Sequence, residues 1–237
     1  SYYPSEPVSI YVKGGPVLVH GTFKGRYTVI TDEYMTYRRH AYPVNSEAPI
    51  DTIYCNIWLV GDLVNADADM SGAFVDLPPS ALPSDKCEGG SENGIGLVSG
   101  ANVIIANTRE NGARSGLAGN LNINIHAHMI AFNESFVIQY WQNSTYHWDD
   151  WNVFDATYGE PPNYFTTKGD GNGLRYGGQT GDDDRGYVNL WGGFVQKYRG
   201  FMRRSDPGFP YTVNYPGIGM DKDYNWDDNM RCNALPL

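Results

Sequence analysis

The residues best suited to chemistry are two histidines, several aspartates and three cysteines. His126 and His128 sit two apart. On a strand that spacing turns both rings to one side, as a two-residue metal chelate requires. The sequence places no third ligand, and histidines beside Asn122 and Asn124 are ordinary on a sheet surface. The acidic loops Gly169–Gly173 and Gly181–Asp184 offer oxygen ligands of the kind a structural calcium takes. The first loop departs from EF-hand order, because Leu174 falls where a third ligand belongs, so solvated loop charge is the plainer reading. The pairs Asp149/Asp150 and Asp227/Asp228 and the run Asp182–Asp184 are adjacent in sequence. Glycoside hydrolysis instead needs two carboxylates on opposite sides of a sugar, one with a raised pKa. No Gly-x-Ser-x-Gly elbow, His-Glu-x-x-His helix or phosphate loop occurs, and Gly96–Gly100 has the wrong spacing for an elbow. The sequence predicts no enzyme and no cofactor beyond a calcium in those loops.

Cys55, Cys87 and Cys232 show no Cys-x-x-Cys spacing, which argues against a zinc or redox site. One disulfide and one leftover thiol are expected, with Cys55–Cys87 the favoured pairing and Cys232 the alternative. Asn133 and Asn143 begin two glycosylation-type triplets. Seventeen basic against 27 acidic residues leave a net charge of −10, without the basic stripe that a nucleic-acid partner needs. No run approaches the ~20 apolar residues of a membrane helix. The opening Ser1–Pro7 has no signal-peptide pattern and reads as a processed terminus. With 18 tyrosines, 28 glycines and few lysines, the composition points to an extracellular or cell-surface protein.

The elements that must position these residues are short strands. Val8–Val12, Val17–His20, Arg26–Thr31 and Tyr34–Tyr37 are each a few residues long, with a turn signal every seven to ten. Further strands are predicted over Thr52–Val60, Ile95–Val98, Asn102–Ala106, Leu121–Met129, Phe136–Ile138, Tyr187–Trp191 and Phe194–Tyr198. Leu121 to Met129 is the clearest, with apolar odd positions and polar Asn122, Asn124, His126 and His128 between them. Residues 65–93 and 141–186 read as two long excursions, and 200–237 as an irregular C-terminal cap. Very short strands at tight spacing suit stacked coils, so the expected fold is all-β. It is a single domain over 1–237, a short right-handed parallel β-solenoid with long loop insertions. An antiparallel β-sandwich is the alternative.

The segment Gly192–Gly200, followed by Tyr224–Asp227, resembles a recurring ending of bacterial surface proteins. In those proteins a pilin-like N-terminal helix precedes a short parallel β-helix. Gly14–Gly21, Gly25–Val29, Ile95–Ile105 and Ile125–Ala131 fit the same pattern. The resemblance implies a surface or pilus-associated structural role; the pilin-like helix is absent from this chain.

These readings together predict a structural subunit of an extracellular bacterial filament or pilus-like fibre, a homopolymer joined head to tail. Residues 1–12 are the candidate intersubunit strand, with Val8, Ile10 and Val12 as donated side chains. Tyr2, Tyr3, Trp148 and Trp151 are expected at the contacts. Lys197 or Arg199 is expected to pair with Asp227 or Asp228 and pin the cap. The alternatives are a surface adhesin or carbohydrate-binding module, with glycans as partners of the 141–186 loop, and a polysaccharide-active β-helix enzyme.

Overall fold

The structure, a computed structural model, describes residues 4–38, 50–68, 91–106, 108, 110–111, 122–139, 184–200, 202–204, 218–227 and 235. These residues form thirteen strands and no helix. The first six are β1 (Val8–Val12), β2 (Val17–Phe23), β3 (Arg26–Thr31), β4 (Tyr34–Arg38), β5 (Ile50–Tyr54) and β6 (Ile57–Asn65). There follow β7 (Gly94–Ser99), β8 (Val103–Ile105), β9 (Ile123–Ala131) and β10 (Phe136–Ile138). The last three are β11 (Asp184–Gln196), β12 (Arg203–Arg204) and β13 (Ile218–Asn225).

Eleven strands share one sheet, and its pairings are parallel except for β12 against β13. Antiparallel sandwich pairing is therefore not what joins them. The registers fall into three ladders. The first runs β1, β3, β7, then the second half of β9 and of β11, and aligns Ile10, Val29, Leu97, Met129 and Phe194. The second runs β2, β6, β8, β10 and aligns Val17, Ile57, Val103 and Phe136. The third aligns Gly21, Leu63, Ile125, Leu190 and Tyr224. From β1 to β11, the β4–β5 hairpin apart, the described strands fall on the three ladders in turn, each return one strand further on. The shortest return, Ile10 to Val29, takes nineteen residues.

Alternation decides which side chains face the core. Ile57, Leu59, Leu97, Ile105, Ile123 and Ile125 are fully buried in one cluster, each contributing about 1.5–3 kcal/mol of transfer free energy. Polar side chains fix the turns between ladders. The backbone and side-chain amides of Asn102 both donate to Asn56 Oδ1 at 3.1 Å, and the Ser135 amide donates to Asn102 Oδ1 at 3.1 Å. These three residues stand immediately before β6, before β8 and before β10, so the ladder of amides sets the register of the second ladder of strands.

The structure differs from the sequence reading in three places. The run Thr52–Val60 is not one strand: β5 ends at Tyr54 and pairs antiparallel with β4 as a separate hairpin, while β6 starts at Ile57. Cys55 and Asn56 turn inward between them, and the Thr31 hydroxyl bonds the Cys55 carbonyl at 2.6 Å. The two strands expected around Gly192–Gly193 are one, because Gly192 takes φ +147° and lets β11 pass from the third ladder to the first without a break. The tail is not wholly irregular. β13 adds a further parallel strand to β11 over Asp184–Trp191.

Candidate functional site: the two ends of the strand stack

β1 and the residues of β2 pair on one side only, with β3 and with β6. Among the described residues no strand pairs with their other edges, the standing invitation of an edge strand. The side chains there are apolar and open: Leu18 is 67% exposed, Tyr11 is exposed, and Ile10 is 42% exposed although Val29, Leu97 and Met129 in its column are buried. Between the first and third ladders the end of the core opens as a cavity of about 180 Å³. Ile10, Val19, Phe23 and Leu63 line it, with His20 and Thr22 as polar members. At Gly21, φ is +99° and a Cβ would meet nothing within 4 Å.

The turn after β1 is held by one carboxylate. Asp32 accepts from the Tyr11 hydroxyl and from the Gly14 amide at 2.8 Å. These bonds hold the Asp32 carboxyl below its ordinary range and push the Tyr11 hydroxyl above its own. The corner before β3 is held by a side-chain network. Asn93 Oδ1 accepts from the Gly25 amide at 2.7 Å, and Asn93 Nδ2 donates to Asn65 Oδ1 at 3.0 Å and Asp67 Oδ2 at 2.8 Å. The first device ties β1 to the turn after β3, and the second ties the turn before β3 to the end of β6 and the start of β7.

The other end is filled by aromatics. Phe194 lies 5.1 Å from Phe136 and 5.6 Å from Tyr224, ring centre to ring centre. Burial pushes the Tyr224 hydroxyl up to about 12, yet the residue keeps 37% of its surface exposed. Asp227 Oδ2 lies 3.6 Å from His128 Nε2, and the Trp226 ring stands edge-on to the same imidazole at 6.1 Å. Sequence reasoning did not bring these three together, because they come from β9 and from the tail nearly a hundred residues on. Leu235 lies over Gly94 and Gly96, which leave it room on the outer face of β7.

Among the residues singled out by sequence, Val8, Ile10 and Val12 all lie on the open edge strand β1. Tyr2, Tyr3, Trp148, Trp151, Asn143, Cys87, Asp228 and the 169–173 loop lie outside the described residues. Cys55 is a buried free thiol, and burial pushes it above the ordinary thiol range. The Asn133 side-chain nitrogen, where a glycan would attach, donates to the Gly100 carbonyl at 3.0 Å. Lys197 Nζ lies 5.4 Å from the centre of the Tyr198 ring, whereas Asp227 faces His128. His126 is tied by its Nδ1, which accepts from the Asn65 amide at 3.1 Å. Among the described residues no three His, Cys, Asp or Glu converge as metal ligands, and no helix is long and apolar enough to cross a membrane. No protein-family model, curated protein or solved structure matches the chain, and none links it to pilus-associated families.

Proposed function

We propose that the chain is a structural subunit of an extracellular bacterial filament or pilus-like fibre, winding as a right-handed parallel β-solenoid and joining copies head to tail. One observation carries the reading: among the described residues β1 and β2 pair on one side only, and apolar side chains stand bare along that edge. Parallel coils whose two ends differ make heterologous contacts, which extend instead of closing. The edge strand β1 also suits strand donation, since its backbone can continue a neighbour's sheet. Negative-stain microscopy of the purified chain tests the proposal, with filaments expected and single particles at every concentration refuting it. A truncation lacking residues 1–12 is expected to remain a folded monomer; filaments formed by that truncation would exclude strand donation by β1.

A further inference from the structure

Three asparagines are followed by glycine: Asn93–Gly94, Asn111–Gly112 and Asn172–Gly173. Asparagine is a thermolabile residue, and a following glycine speeds the loss of its amide because no Cβ shields the next backbone nitrogen. The third step lies outside the described residues. The fold treats the first two alike. Both side chains are buried, Asn93 at 7% exposure and Asn111 at 0%. Asn93 Nδ2 donates to Asn65 Oδ1 at 3.0 Å and to Asp67 Oδ2 at 2.8 Å. Asn111 Nδ2 donates to the Leu59 carbonyl at 2.8 Å and to the Ala106 carbonyl at 3.0 Å. Each amide nitrogen gives both its protons to acceptors from other segments.

At Asn93 the attacking group is held as well. The Gly94 amide donates to the Gly25 carbonyl at 3.0 Å, and Asn93 Oδ1 accepts from the Gly25 amide at 2.7 Å. Gly94 opens β7 and pairs with Arg26 of β3. Carbonyl oxygen, leaving nitrogen and attacking nitrogen are all bonded to other groups, so the reaction must wait for the corner to open.

We propose that Asn93 and Asn111 are deamidation sites guarded by the fold, and that conversion of either while the chain is unfolded impairs its refolding. The backbone nitrogen of the following glycine attacks Asn Cγ, its proton and the side-chain amide leave together as ammonia, and a cyclic imide forms. Water then opens the imide to aspartate or isoaspartate, so the balance is water taken up and ammonia lost. The product does not fit either corner. At position 93 a carboxylate oxygen replaces a donor beside Asn65 Oδ1 and Asp67 Oδ2, and acceptor faces acceptor. At position 111 it faces two backbone carbonyls in a dry core, where an unpaired charge is least tolerated. Isoaspartate further adds a backbone atom, which upsets the register where β7 begins. The chain thus carries a one-way timer on the time it spends unfolded, whether or not its copies join.

The test incubates the full chain at mildly alkaline pH, with and without guanidinium chloride, and follows the three amides by peptide mapping and mass spectrometry. In denaturant all three convert together. Without it Asn93 and Asn111 convert at least about 100-fold more slowly, because only the rare opened population reacts. Gly94→Ala isolates the chemistry, since its Cβ would meet only the far end of the flexible Leu235 side chain at 3.0 Å. In denaturant this variant keeps its Asn93 amide while Asn111 converts as in the parent. Asn93→Asp is expected to fold with a lowered denaturation midpoint, and Asn111→Asp to give no native fold. Loss of either amide from the native chain at the denatured rate overturns the guard. Parent midpoints in both aspartate variants, or full refolding of a chain already converted at both sites, overturn the timer.

Discussion

Truncating the same column at two heights measures how open the N-terminal end is. Ile10 and Leu97 occupy one row of the first ladder, two strands apart, with Val29 between them. Leu97 is fully buried with Met129 on its far side, whereas Ile10 is 42% exposed and has no strand beyond it among the described residues. Leu97→Ala removes three buried carbons and leaves a cavity walled on all sides, so it should cost about 3–4 kcal/mol. Ile10→Ala removes as many carbons, about 2.4 kcal/mol if wholly buried at about 0.8 kcal/mol each. Its 42% exposure reduces that to about 1.4 kcal/mol, and no cavity term is added because water already reaches the site. Urea unfolding of dilute monomer, followed by tryptophan fluorescence and far-UV circular dichroism, should show midpoints shifted in that proportion with unchanged slopes. Equal costs at the two positions would mean that another part of the chain covers the first coil, and the open-end argument would fall.

The path of β11 rests on Gly192. A Cβ there would lie 2.0 Å from the Ala127 carbonyl oxygen, and backbone cannot yield as a flexible side chain does. Gly192→Ala is therefore expected to cost more than 3 kcal/mol, by strain at positive φ and by lost ladder bonds to β9; a loss under 1 kcal/mol in the same urea experiment would refute the register given to β9 and β11. The Tyr224 hydroxyl, raised to about 12 by burial, favours the neutral form in the folded chain. Its contribution is complete below the ordinary tyrosine value near 10 and is lost as pH rises from there through about 12. An alkaline absorbance titration compared with Tyr224→Phe should lose one late-titrating phenol, and identical curves would show that Tyr224 is not desolvated.

Local pattern made much of the strand content legible. The alternation of Leu121–Met129 matches β9 from Ile123 onward, and the predicted segments at 8–12, 26–31 and 136–138 coincide with β1, β3 and β10. Val8, Ile10 and Val12, picked out by their alternation, fall on β1, which pairs with β3. Alternation and turn residues act over a few positions, so they reach the chain one strand at a time.

Partners and ends belong to the tertiary structure. Val29 pairs with Leu97 across 68 residues, and Met129 with Phe194 across 65; no local signal specifies which of many similar apolar runs will be neighbours. The tail gave no alternating pattern because Asp221, Lys222 and Asp223 interrupt it, yet β13 forms since β11 offers a ready edge of hydrogen-bonding groups. The meeting of His128 with Asp227 and the vacancy at Gly21 arise in the same way, from stacking distant segments in register. Sequence could specify extended segments with one oily side, and only their piling up determined which end was left bare and which was stoppered by rings.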